Sequence, residues 1–158
     1  MNNKIIELRI EVGRLNELEF CKNLDNYFID NSYNIEIVKS SERYYPIDFI
    51  LTKVGNTFSY IELKSRMCDT DDIELLLSYS KIQFVKAFEM KNVIIVWWVK
   101  KCDTYYYLLL TDEVINILLN ETRSILKYNL RTLVIDRDLV SKSNNIDDIG
   151  KFVVGLSE

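Results

Sequence analysis

The sequence predicts an α/β fold with a mixed central β-sheet flanked by helices. Helical and strand-like segments alternate along most of the chain, an order typical of α/β proteins. The apolar run VIIVWWV at residues 93–99 follows a predicted helix and has no polar face, as expected for a buried strand parallel to its neighbour. The turn VGNT at residues 54–57 separates two further strand-like segments and predicts an antiparallel hairpin. Together these observations predict a sheet with both strand directions.

The first predicted helix spans residues 4–28, and its apolar positions recur at helical spacing, with a break or close approach expected near Gly13. That stripe consists of Leu15, Leu18, Cys21, Leu24 and Phe28. The remaining predicted elements are, in order, a strand (34–40), a hairpin (46–65), a helix capped by Asp69 or Thr70 (69–90), two strands (92–100 and 104–110), a helix (111–128), a strand (131–136), a loop (141–148) and a short C-terminal segment.

The length of 158 residues predicts one domain with a full hydrophobic core. The net charge of −4 counts against a function in which the protein binds nucleic acid through its overall charge alone. Histidine is absent, which excludes Ser-His-Asp and Cys-His nucleophile systems and histidine-ligated zinc. The three cysteines are far apart and predict reduced thiols.

The charged N-terminal segment does not match a signal peptide, and the longest apolar run is too short to cross a bilayer. These features predict a soluble intracellular protein, cytoplasmic or nuclear, with no membrane partner.

The predicted hairpin carries three charged residues, Asp48, Glu62 and Lys64, between apolar neighbours. A three-residue loop at 55–57 would pair Asp48 with Lys64 and place all three on one face, because strand side chains alternate. The other face would then carry Ile47, Phe49 and Leu51 against Ile61 and Leu63. Converging carboxylates repel unless a cation lies between them, and oxygen ligands without His or Cys select Mg²⁺ or Mn²⁺. A lysine beside such an ion can act on a water and stabilise developing negative charge, so this arrangement predicts metal-assisted phosphodiester hydrolysis.

The first helix offers a further acid. Glu17 falls on the stripe with Phe20, Cys21 and Leu24, and Glu19 falls with the polar residues on another side. Glu17 is therefore the better candidate for the site, and Glu19 is the alternative.

The hairpin resembles the motif of the PD-(D/E)xK nuclease superfamily, with PID at residues 46–48 and ELK at 62–64. The order of elements over residues 4–99 also resembles that family's restriction-endonuclease-like core, with 100–158 as a C-terminal extension of helix and strand. In outline the chain is similar to small single-domain members, including Holliday-junction resolvases and phage or viral nucleases.

The resemblance implies a metal-dependent DNA nuclease, more specifically an endonuclease. Asp48, Glu62 and the Leu63 carbonyl would bind Mg²⁺ or Mn²⁺, Lys64 would act on the attacking water, and Glu17 is the best match to the helix-one acid. Lys81 or Gln83 would contact phosphate. A homodimer would suit a resolvase or a double-strand cutter.

Three alternatives remain open from the residues alone. The first is a catalytically inactive binding or assembly module of the same fold, and the second is the narrower resolvase activity. The third is an unrelated α/β interaction domain. Arg43, Tyr44 and Tyr45 precede the motif and are candidates to line the entrance of the site.

Overall fold

The computed structural model describes residues 2–40 and 47–158. Within them the helices are α1 (Asn3–Asp30), α2 (Tyr79–Ala87), α3 (Asp112–Asn120) and α4 (Ile146–Leu156). The strands are β1 (Ile35–Lys39), β2 (Phe49–Lys53), β3 (Asn56–Arg66), β4 (Leu76–Ser78), β5 (Val93–Val99), β6 (Thr104–Leu109), β7 (Ser124–Lys127), β8 (Leu130–Val134) and β9 (Ser141–Ser143).

Six strands form the main sheet in the order β1-β2-β3-β5-β6-β9, and β4, β8 and β7 form a smaller antiparallel sheet. The β3–β5 pair is parallel and the other pairs of the main sheet are antiparallel. The predicted α/β fold with a mixed central sheet flanked by helices is therefore confirmed. The strands β6 and β9 complete this sheet, so residues beyond 99 contribute to its core.

Two apolar cores cover the two faces of the main sheet. Helices α1 and α4 pack on one face around Phe20, Phe28 and Ile149. Helices α2 and α3, together with the small sheet, pack on the other face around Ile82, Leu118 and Leu133. Every residue of β5 is buried, because alternate side chains enter opposite cores. The prediction of a strand with two apolar faces is confirmed.

Two of the predicted helices are longer than those in the structure. The acidic segment 69–75 is irregular, and the next residues form β4, so α2 begins only at Tyr79. Likewise α3 ends at Asn120, and residues 124–127 form β7. In both segments the apolar residues are spaced as in a helix, but they form strands that pair within the small sheet. These long-range strand contacts outweigh the local helix propensity.

The first helix runs unbroken through Gly13, and its buried side differs from the predicted stripe. Leu15 and Leu18 are exposed, and the buried positions are Asn16, Phe20, Leu24, Tyr27 and Phe28. The predicted break near Gly13 is wrong, because the helix is continuous there. None of the helices in the described residues is long and apolar enough to cross a membrane.

The predicted hairpin register is shifted by two residues. The turn consists of Val54 and Gly55, both at positive φ (52° and 78°), rather than three residues. A bulge at Phe58 adds one residue to β3, so Phe49 pairs with Ile61 and Ile50 with Tyr60. Because a shift of two preserves alternation, the side chains within the paired strands still point to the predicted faces.

Candidate active site

Strand β3 places two of the charged residues on one face of the sheet. Glu62 and Lys64 alternate with Ile61 and Leu63, which enter the core beneath α1. The pair therefore faces the α2 side, and the predicted sharing of one face by Glu62 and Lys64 is confirmed. Lys64 Nζ donates to Glu62 Oε1 at 2.8 Å. Only 3% of Glu62 is exposed, so its charge depends on such partners for compensation.

Asp48 reaches the site by a different route from the predicted one. Strand β2 begins at Phe49, so Asp48 lies in a bend before it, and Ile47 packs in the core on the α2 side instead of joining Phe49. Asp48 Oδ2 accepts a hydrogen bond from the Leu63 N–H at 2.8 Å. The predicted pairing of Asp48 with Lys64 across the hairpin is therefore wrong, and Asp48 binds the main chain between Glu62 and Lys64.

Helix α2 brings Lys81 to the same carboxylate. Lys81 Nζ contacts Glu62 Oε1, the oxygen that Lys64 also contacts. Burial lowers the pKa of Lys81, and the nearby charge of Glu62 acts in the opposite direction. Gln83 lies two residues further along the helix and is exposed. Of the two candidates on this helix, the structure brings Lys81 to the site and leaves Gln83 outside it.

Glu17 lies at the margin of the cluster, and Glu19 lies apart from it. Glu17 Oε2 accepts from Lys39 Nζ at 2.7 Å, and its negative charge helps raise the pKa of Asp48. Glu19 is more exposed and pairs with Lys100 instead. The sequence analysis missed Lys39, because the end of a short strand carries no signal that it will meet α1.

The two central carboxylates are crowded and incompletely paired. Burial first, and the charge of Glu62 second, raise the pKa of Asp48 to about 7. Glu62 Oε2 is buried and has no hydrogen-bond partner among the described residues. A buried carboxylate oxygen without a hydrogen-bond donor is costly, and a positive group beside it would offset that cost.

The Leu63 carbonyl completes a possible set of oxygen donors. The N–H of Tyr60 donates to Asn92 at the start of β5, so backbone groups of alternate β3 residues face β5. Leu63 lies an odd number of residues from Tyr60, so its backbone groups point away from β5, towards β2. The Leu63 N–H donates to Asp48 on that side, and the Leu63 carbonyl faces the same way. Two carboxylates and a main-chain carbonyl fit a hard divalent cation such as Mg²⁺ or Mn²⁺.

The acids of the site do not form a larger ligand cluster. Within residues 2–40 and 47–158, no three His, Cys, Asp or Glu side chains are grouped closely enough to hold a metal ion. Glu17 therefore lies too far out to bind a cation directly together with Asp48 and Glu62. The segment containing Arg43, Tyr44, Tyr45 and Pro46 falls outside the described residues.

The fold is similar to that of a viral nuclease. The solved structure described as D212, a nuclease from a fusselovirus, superposes with a TM-score of 0.59 at 12% sequence identity, over 96% of this chain and 94% of that one. No protein-family model and no curated protein sequence matches the chain. At this identity the likeness concerns the fold, and it extends over nearly the whole of both chains.

Proposed function

We propose that this protein is a divalent-metal-dependent nuclease of the PD-(D/E)xK type, which hydrolyses DNA phosphodiester bonds within the strand. The observation that carries the proposal is the pair of the half-buried Asp48 and the buried Glu62, with two lysines on Glu62 and its second carboxylate oxygen unpartnered among the described residues. Two neighbouring carboxylates repel each other and gain from a shared cation. The fold it shares with a viral nuclease supports the same conclusion.

Each residue has a defined part in this proposal. Asp48, Glu62 and the Leu63 carbonyl hold Mg²⁺ or Mn²⁺. When bound, such an ion polarises a phosphate oxygen and lowers the pKa of a coordinated water. Lys64 orients the attacking water and stabilises the negative charge that develops on the phosphate. Lys81 contacts a substrate phosphate, and Glu17 acts from further out through water.

The two lysines that compensate the charge of Glu62 also have a part in the proposed reaction. The two ammonium groups share Oε1, so Oε2 is available to a cation without displacing either lysine. A substrate phosphate that enters beside Glu62 meets two positive groups already in place. Preorganised charges of this kind lower the barrier because they need not move during the reaction.

The test is cleavage of supercoiled plasmid, single-stranded DNA and a four-way junction in Mg²⁺, Mn²⁺ or EDTA. We expect metal-dependent cutting by the wild type and by Glu36→Gln, a control for an exposed acid on β1, and none by Glu62→Gln. Preference for the four-way junction would identify the narrower resolvase activity. Cutting by Glu62→Gln at the wild-type rate would contradict the site.

The competing function is a nuclease-fold binding or assembly module without catalysis. The net charge of −4 favours it, because a nuclease must attract a polyanion. It predicts a folded wild type that cuts no substrate under any of these conditions. An unrelated interaction domain would in addition show no change in melting temperature on adding a divalent cation.

A further inference from the structure

The hairpin of β7 and β8 combines exposed apolar and basic side chains. Its turn, Tyr128 and Asn129, has both residues at positive φ (52° and 60°), and Lys127 pairs with Leu130 across it. This is the backbone of a tight two-residue hairpin turn. Three large side chains around the turn are exposed: Leu126 (78%), Tyr128 (73%) and Leu130 (64%). We call these residues, 126–130, the hairpin tip.

The tip lies on the side of the small sheet from which α2 begins. Ser78, the last residue of β4, pairs with Thr132 in an antiparallel ladder. The hairpin from Thr132 to its turn at Asn129 therefore extends about 10 Å beyond the end of β4, at roughly 3.3 Å per residue. Since α2 starts directly after Ser78 and carries Lys81, the tip extends from the same end of β4 as the first turn of the helix that supplies Lys81.

A cation–π contact connects the hairpin to that helix. The Arg131 guanidinium lies over the Tyr79 ring, 3.8 Å from its centroid. Tyr79 is the first residue of α2, two positions before Lys81. Arg131, and with it the hairpin, is therefore held in a defined position next to the first turn of α2.

The charge of this region is opposite to that of the whole chain. Residues 122–135 contain Arg123, Lys127 and Arg131 and no acid, although the net charge of the protein is −4. The neighbouring segment 75–88, which forms β4 and α2, is likewise free of Asp and Glu and carries Lys81 and Lys86. No carboxylate of the described residues lies within ion-pair distance of the hairpin's three basic groups. The acids nearest in sequence, Glu121 and Asp136, flank the base of the hairpin, at the end away from the tip.

We propose that the β7–β8 hairpin is a nucleic-acid-binding arm whose tip packs Tyr128 against unpaired bases while Lys127 and Arg131 bind the adjacent phosphates. This inference rests on the proposed function and specifies the form of its substrate. A partner for this surface must offer negative charge and flat apolar faces together. Single-stranded nucleic acid has both, and base–aromatic stacking does not depend on sequence. In an intact duplex the base faces are stacked inside, so the tip can meet them only at ends, gaps or junctions.

The experiment measures binding in EDTA, where no cleavage occurs, by fluorescence anisotropy at low salt. The probes are a mixed-sequence single strand, the blunt duplex of the same sequence, and that duplex with a single-stranded gap. The key variant is Tyr128→Asn, because Asn suits the first position of this turn and preserves the hairpin while removing the ring. Tyr128→Trp keeps an aromatic ring and serves as its matched control.

We expect Tyr128→Asn to weaken binding to the single strand and the gapped duplex by about 5- to 150-fold, the range for loss of one stacked base. Binding to the blunt duplex, which exposes base faces only at its two ends, should change much less, and Tyr128→Trp should bind all three probes as the wild type does. Lys127→Ala should weaken binding to all three probes and reduce the salt dependence by about one phosphate contact. Lys151→Ala, on α4 across the main sheet, should have no effect.

Equal binding of the single strand by wild type and Tyr128→Asn would overturn the inference. So would a change of oligomeric state in Tyr128→Asn, measured by light scattering, with nucleic-acid affinity unchanged, because the tip would then contact a second copy of the chain. Plasmid cleavage in Mg²⁺ is scored separately. If the wild type cuts the plasmid but binding does not depend on the tip, the proposed arm is wrong and the proposed nuclease stands. If binding depends on the tip but the plasmid is not cut, the proposed nuclease is wrong and the arm stands.

Discussion

Replacing Asp48 by Asn should stabilise the protein in the absence of metal and abolish its activity. Asn is nearly the same size as Asp, and its side-chain oxygen can still accept the hydrogen bond from the Leu63 N–H. The substitution removes the charge whose burial and proximity to Glu62 raise the pKa of Asp48 to about 7. The substitution therefore removes a charge that destabilises the folded protein when no metal is bound.

The pH dependence of stability gives the size of this cost. The unfolded chain releases the Asp48 proton near the ordinary aspartate pKa of 3.8, and the folded protein releases it only at about 7. Between those values the folded state binds more protons, so the free energy of unfolding decreases as pH rises. At about 1.4 kcal/mol per pH unit, the loss between about pH 5.5 and 7 is at most about 2 kcal/mol. For a chain of this length that lowers the melting temperature by about 4–8 °C.

The assay is thermal unfolding in EDTA from about pH 5.5 to about pH 8. The chain contains no histidine, so few other groups titrate in this window. The wild type and Glu36→Gln should lose stability across it, and Asp48→Asn should not. At pH 8, Mg²⁺ should stabilise the wild type and leave Asp48→Asn unchanged, because only the wild type has both carboxylates for the cation. A flat wild-type profile in EDTA, or a slope that persists in Asp48→Asn, would refute this reasoning.

Two further predictions concern the backbone. A Cβ at Gly150 would lie 2.2 Å from the Tyr27 ring, so Gly150→Ala should lower the free energy of unfolding by about 1–3 kcal/mol. Gly155→Ala, on the same helix but with nothing within 4 Å, should raise it by about 0.5–1 kcal/mol, and urea denaturation of both variants tests the contrast. Val54 is β-branched yet adopts a φ of 52° in the turn before Gly55, so Val54→Asn should stabilise the hairpin by about 1 kcal/mol. A urea midpoint below that of the wild type would contradict the second prediction.

The parts of the fold that sequence analysis predicted well are those whose pattern is local. The strand β5 and the hairpin of β2 and β3 follow from an apolar run and a Gly-containing turn. Within the site, Glu62 and Lys64 share a face because alternation along one strand needs no knowledge of the partner strand. Lys81 was one of two candidates, with Gln83, that the resemblance indicated on the next helix, and the sequence did not choose between them.

The parts that were missed depend on contacts between distant segments. The helix predicted over 69–90 begins only at Tyr79, because β4 pairs with β8, more than fifty residues away. The predicted position of Asp48 assumed that β2 continued through it, but the strand begins one residue later and Asp48 bonds to β3 from a bend. The alternation of side chains along a strand predicts their direction only for residues inside the strand. It therefore does not place a functional residue that lies just beyond the strand end.

The distribution of charge reconciles an acidic protein with the anionic substrate that we propose for it. At the site, the charges of Asp48 and Glu62 are offset by Lys64 and Lys81, which both contact Glu62, and a divalent cation would make the local charge positive. The acid-free segments 75–88 and 122–135 then extend that positive region from α2 to the hairpin tip. Because salt screens charges more than about 10 Å apart, the acids elsewhere on the surface oppose this region only weakly. The net charge of the chain is therefore a poor guide to where it can hold nucleic acid, and the salt dependence of binding by Lys127→Ala measures the local field directly.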